Sequence, residues 1–135
     1  MKLLIHFFAK GDPLELPFNP ALLKWAKESF VDLTSVDLDN YSGKVLIDYT
    51  TKLMDEASKI VIVVEAEACP SVGGLPTLFE RLAKRNNSGA EIMAVVKHEK
   101  LPIINRMLKT FDKESVFENR PDGETRDLLR YFLQT

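Results

Sequence analysis

Cysteine is nearly missing from this chain. Cys69 has no second thiol to pair with, so the fold is expected to stand without an internal disulfide. Histidine is as scarce. His6 and His98 lie far apart in sequence, and no clustered Cys/His spacing suggests a structural zinc site. No apolar run approaches the roughly 18 residues that cross a membrane. The opening run MKLLIHFFAKGD stops at Lys10, Gly11 and Asp12, without the longer apolar region and cleavage site of a signal peptide. A cytoplasmic location is therefore the default expectation. Strong charge of either sign is lacking as well. Eighteen Lys and Arg against 20 Asp and Glu leave −2, so no global basic field recruits nucleic acid, and none is expected as a partner. Internal repeats, low-complexity segments and interdomain linkers are absent too.

What is present suits one domain with one folded core. The chain has 135 residues, 45% of them hydrophobic and 28% charged. The most informative stretch is 59–80, KIVIVVEAEACPSVGGLPTLFE. Ile60 to Val64 is apolar on both faces, as in a central strand of a helix-covered parallel sheet. A polar loop follows, and Pro76 begins a helix. Leu3 to Ala9 reads as a second buried strand, interrupted only by His6. The loop Lys10–Pro20 holds three prolines and is long for a strand-to-helix connection, which favours function.

Helices are expected from Pro20, from Lys44 to Ser58, over Pro76–Arg85, over Leu101–Phe111 and over Glu124–Leu133. Their apolar stripes are read at Leu22/Leu23/Ala26/Phe30, Leu46/Tyr49/Leu53/Ala57, Leu78/Phe79/Leu82, Ile104/Leu108/Phe111 and Leu128/Leu129/Phe132. Val31–Leu38 reads as an edge strand, Glu91–Val96 as a buried strand and Ser115–Glu118 as a short last one. Strand and helix thus alternate five times. Right-handed crossovers then predict a three-layer α/β/α domain over 1–135, with a five-stranded parallel sheet in the flavodoxin-like order 2-1-3-4-5.

In that topology the strand exits converge on one rim, where ligands of open α/β sheets bind. Lys10, Asp12, Ser71, Gly73, Gly74 and His98 are the candidate ligand-binding residues there. Gly73 and Gly74 before a helix expose backbone N–H groups to an anion, or serve a tight turn. SVGGLP lacks the phosphate-loop lysine and any G-x-G-x-x-G spacing. The loop KGDPLELPFNP has no Ser or Thr, so flavin is not expected. Glu65 and Glu80 are the candidate catalytic carboxylates, against the alternative of solvated glutamates. Cys69 with His98 is a weaker nucleophile–base pair, the plain reading of Cys69 being a packing residue. His6 reads as a satisfied core histidine. From Arg81 to Lys113 eight Lys and Arg face three Asp and Glu, which reads as solvated helix faces before it reads as a phosphate or partner patch.

The order of segments resembles a Toll/interleukin-receptor-type (TIR) domain. IHFFAKGD resembles the family's opening strand and polar loop, with Asp12 as its Asp. DLDNYSGKVLIDYTTKLMDEASKIVIVVE resembles its second strand, Gly-containing loop, helix and third strand, and Ser58 fits the Ser that ends the helix. The acidic residue of members that cleave NAD would be Glu80 in PTLFERL. Phe7 and Phe8 stand where the family usually has Ser, and no Trp-Cys pair precedes Glu80. The resemblance implies a cytoplasmic signalling or protein-interaction module that self-associates or binds a protein partner and senses a nucleotide-like ligand. The alternative is a hydrolase or transferase cleaving the N-glycosidic bond of NAD or a nucleoside, similar in layout to nucleoside deoxyribosyltransferases. SVGGLPTLFERL followed by SGAEIMAVV is also similar to the anti-sigma-antagonist (STAS) class, which would make Ser71 a phosphorylated switch. No metal is implied.

Overall fold

The computed structural model describes residues 1–17, 20–99 and 101–134. Its elements in chain order are β1 (Lys2–Ala9), α1 (Ala21–Ser29), β2 (Leu33–Asp39), α2 (Lys44–Glu56), β3 (Lys59–Ala66), α3 (Leu75–Asn87), β4 (Glu91–His98), α4 (Pro102–Leu108), β5 (Val116–Glu118) and α5 (Asp122–Gln134). Single 3-10 turns occupy Pro13–Glu15 and Lys113–Ser115. All four strand pairings are parallel and the order is β2-β1-β3-β4-β5, the flavodoxin-like order expected from the alternation. Phe18 and Asn19 of the first loop, and Lys100 of the β4 exit, lie outside the described residues.

The strand period of two sorts side chains onto two cores. On one face Leu3, Ile5 and Phe7 of β1 and Ile60, Ile62 and Val64 of β3 pack under α2, α3 and α4. On the other, Leu4, Val61, Val63, Met93 and Val95 pack under Leu23 and Ala26 of α1 and Leu129 and Leu133 of α5. Ile62 is fully buried in the middle strand, where truncation to Ala costs about 2–5 kcal/mol.

Three local readings are corrected. The apolar stripe of α2 is turned from the expected one: Ile47, Thr50, Thr51 and Met54 are buried, while Leu46 and Tyr49 are exposed. The threonines go inward because each satisfies its own hydroxyl, Thr50 Oγ1 donating to the Leu46 carbonyl and Thr51 Oγ1 to that of Asp48. Val31 is 100% exposed in the turn before β2, and the inward residues of that strand are Val36 and Leu38. The central strands also run further than their apolar cores, so Glu65 and His98 belong to strands rather than loops.

Two lysines fix the direction of α5. Lys2 and Lys59, at the amino edge of the sheet, donate to the carbonyls of Leu133 and Phe132 in the last turn of that helix. Cations suit the negative end of a helix dipole. Pinned there, α5 runs back along the sheet and presents its first turn at the carboxyl edge.

Candidate functional site

At the carboxyl edge, on the α1/α5 face, lies a cleft of about 300 Å³. It spans the switch point between β1 and β3, where the connections leave in opposite directions. Phe8, Val63 and Val95 give it an apolar floor, Pro20 and Leu22 of the α1 start form one wall, and Thr125 and Arg126 of α5 form the other. That volume stands at the small end of ligand pockets.

Two polar residues meet in the floor. His6 pairs with Val63 across the β1–β3 ladder, and Phe8 pairs with Glu65, so Glu65 lies one step along on the same face as His6. His6 Nε2 is 2.9 Å from Glu65 Oε2. The imidazole is 1% exposed and the Glu65 side chain 34%. The His6 hydrogen bond holds the Glu65 carboxyl below its ordinary value. Desolvation opposes this, and the charges of His6, Lys97 and Lys10 add to the lowering. Glu65 is therefore a carboxylate under ordinary conditions, fit to act as nucleophile, base or stabiliser of positive charge rather than as acid. The other ring nitrogen, His6 Nδ1, is sealed from solvent with no hydrogen-bond partner among the described residues. Leaving a buried polar group unpaired costs about 1–3 kcal/mol. Beside this pair, in β2, the carboxyl of Asp37 is pushed up by desolvation and by Asp39, against the opposing pull of His6 and Lys27.

The other candidates fall into separate neighbourhoods. Lys10, Ser71 and Gly73 meet around buried Asn40. Its amide donates to the carbonyls of Lys10 and Ser71, its oxygen accepts from the Lys10 N–H, and its own N–H donates to the Phe8 carbonyl. One side chain thus ties the exits of β1, β2 and β3. Gly73 has φ +59, and a Cβ there would stand 2.5 Å from the Asn40 carbonyl oxygen; one on Gly74 would stand 2.6 Å from Ile47 Cδ1. Both glycines are thus required by close packing. Ser71 Oγ accepts from the Gly73 N–H, and Asp12 Oδ1 accepts from the Leu14 N–H to start the 3-10 turn.

Glu80 does not join Glu65. It is on the outer side of α3, its side chain 72% exposed and 3.6 Å from Lys84, beside a shallow groove against α4. His98 is buried on the α2–α4 face. Its Nδ1 accepts from the Leu101 N–H, so Nε2 carries the proton toward Glu118 Oε2 at 3.3 Å. Cys69 does not meet His98: its thiol donates to the Ser71 carbonyl and is pushed up by desolvation, with Glu67 adding to the rise. Among the described residues no group of three or more His, Cys, Asp or Glu is placed to hold a metal ion, and no helix is long and apolar enough to cross a membrane.

No model of a known protein family matches the chain, and no curated protein is found to be similar to it.

Sequence reasoning missed the partners that make Glu65 distinctive. His6 was expected to be satisfied, yet only one of its nitrogens is. Lys97, Arg120, Thr125 and Arg126 also line the cleft. The signal for His6 was its place in a strand that pairs with the Glu65 strand. Arg120 follows β5 directly, in the exit expected on the rim, whereas nothing local singles out Arg126, which only the return of α5 brings there.

Proposed function

We propose that this chain is an enzyme that cleaves an N-glycosidic bond in the cleft at the switch point, with Glu65 as the catalytic carboxylate. The supporting observation is that Glu65 faces an apolar cleft and is held ionised by a buried histidine. A fixed carboxylate in such a setting stabilises the positive charge that develops at the anomeric carbon, or bonds to it.

The leaving group follows from what surrounds Glu65. Among the described residues the only other carboxylate lining the cleft, Asp122, stands exposed at the mouth beside Lys97, so no second carboxyl is placed next to Glu65 to protonate a departing base. This favours a ribosylated pyridinium. When its C–N bond breaks, the electron pair goes to the ring nitrogen, and the base leaves neutral without taking a proton. Water then supplies a hydroxyl to the anomeric carbon and releases one proton. The likeness to TIR domains points to the same bond, although its acidic residue would be Glu80.

The test is incubation with nicotinamide riboside, NAD and a small nucleoside panel, followed by chromatography. Release of the base by the wild type and by Glu80→Ala, but not by Glu65→Gln, is the expected result. Unchanged substrates at high protein concentration, or release that depends on Glu80 alone, sinks the reading.

A second reading, a self-associating interaction module, is favoured by one surface. Tyr41, Val45, Leu46 and Tyr49 are exposed together at the start and outer side of α2. Concentration-dependent sedimentation that Val45→Glu abolishes would support it, and a monomer at all concentrations would remove it.

A further inference from the structure

We propose that the cleft recognises its ligand by a phosphate monoester, bound at the mouth by Arg126 and Arg120, and that the ligand is the size of a mononucleotide. This rests on the reading of the cleft as a small-ligand site, but not on the glycosidic chemistry.

The cation inventory is the first support. Lys97, Arg120 and Arg126 line the cleft, against Glu65 and Asp122. Arg126 has no carboxylate within ion-pair distance among the described residues. Its guanidinium lies 5.5 Å from the centre of the Trp25 ring, which holds the fork in place while leaving its donors available. Arg130 stacks on the same indole but is paired with Asp127, so the two arginines are not equivalent. Arg120 lies over Phe117 and is 3.7 Å from Glu124, with both side chains half exposed. Lys97 is 3.6 Å from Asp122, whose side chain is 90% exposed. Surface pairs of this kind contribute about 0–1 kcal/mol, so a phosphate can displace them.

Backbone adds to side chains. The first turn of α5, which carries Asp122 and Glu124, opens at the same mouth just ahead of Thr125 and Arg126, and the α1 start stands opposite. Helix starts carry unpaired N–H groups and favour anions. A second, independent observation is on the floor of the same cleft: His6, 1% exposed, keeps one nitrogen without a partner among the described residues. Its Nδ1 is sealed from solvent and does not itself reach a ligand; the imidazole acts through Nε2, which holds Glu65 in the floor beneath the cationic mouth. The volume sets the size. About 300 Å³ accommodates a base, a ribose and part of a phosphate, and is small for a dinucleotide.

Nicotinamide riboside and nicotinamide mononucleotide differ only in the phosphate and make a direct test. Their affinities for the full chain are measured by calorimetry at low ionic strength, with inorganic phosphate as a third probe. The mononucleotide is expected to bind roughly tenfold or more tightly than the riboside, the scale of one charge-assisted contact. Arg126→Gln should remove most of that difference, and Arg120→Gln part of it, with thermal melts confirming that both variants fold. Equal affinities in the wild type, no binding of either compound, or a ratio that survives both substitutions overturns the proposal. Inorganic phosphate binding as tightly as the mononucleotide also overturns it, since the site would then serve the free ion. A phosphate-dependent ratio without any cleavage would retain this site and remove the glycosidic reading alone.

Discussion

His6, set within the apolar run of β1, and Glu65, just past the apolar run of β3, add a 2.9 Å side-chain contact to the β1–β3 ladder on the α1/α5 face. The pairing places an ionised carboxylate at the one point of the sheet where neighbouring crossovers diverge. It also leaves His6 Nδ1 without a partner among the described residues, a burden that an apolar residue would not impose.

Replacing His6 by Leu separates stability from function. The variant should lose the restraint on Glu65 and reduce turnover by about 10²-fold or more, while stability stays within about 1 kcal/mol of the wild type or rises. Urea denaturation and chromatographic assay on the same preparation check this. A variant that unfolds, or one that is fully active, would show that His6 is not a positioning residue.

The pH dependence has a definite sign. The folded-state value for Glu65 lies below the ordinary 4.5, so its ionised form favours the folded state. That contribution is present above about 4.5 and is lost as pH falls through the lower folded value. Comparing wild type with Glu65→Gln across this acid range should show a stability difference that shrinks with falling pH. In activity profiles the acid limb should lie below 4.5 and move upward in His6→Leu. An acid limb that ignores the His6 substitution would break the proposed link.

Asp37 has the opposite sign. Desolvation raises its carboxyl, so ionisation costs the folded state, and the penalty appears as pH rises through the ordinary value. Asp37 is on the exposed side of β2, so solvent screens the effect, and Asp37→Asn should stabilise the chain only slightly at about pH 7 and have little effect at about pH 3. Thermal melts at the two pH values decide it.

Gly73→Ala should destabilise by about 1–3 kcal/mol, because a positive φ and a clash with the Asn40 backbone coincide. Gly74→Ala meets the buried Ile47 side chain rather than backbone, without a positive φ, and should cost less than Gly73→Ala. Denaturant midpoints without ligand test the order. Losses that appear only when an anion is present would return these glycines to the phosphate-binding role.

Much of the fold was legible because both of its signals are local. The apolar runs of β1, β3 and β4 and the turn residues between them define a five-fold alternation, and crossover handedness leaves few topologies. Leu78, Phe79 and Leu82 of α3 were identified for the same reason. The α2 stripe was misread because Thr50 and Thr51 count as polar until their hydroxyls are seen bonded within the helix. Glu65 was found by its place after the apolar run of β3. Its partnership with His6 depends on register between strands more than fifty residues apart, and Arg126 reaches the rim only through the packing of α5. Glu80 is a candidate through its nearness to the switch point and its position in the TIR resemblance; the rotation of α3 turns it outward.

The two lysines beneath the sheet give α5 the mechanics of a lever. Its fulcrum is the pair of carbonyls at Phe132 and Leu133, and its working end carries Thr125 and Arg126, about 10 Å away along a rise of about 1.5 Å per residue. Between the two ends Leu129 and Leu133 seat the helix on the sheet, so the anchor and the core together set where Arg126 stands. The placing of a cation at the mouth thus depends on two lysines at the opposite edge of the sheet.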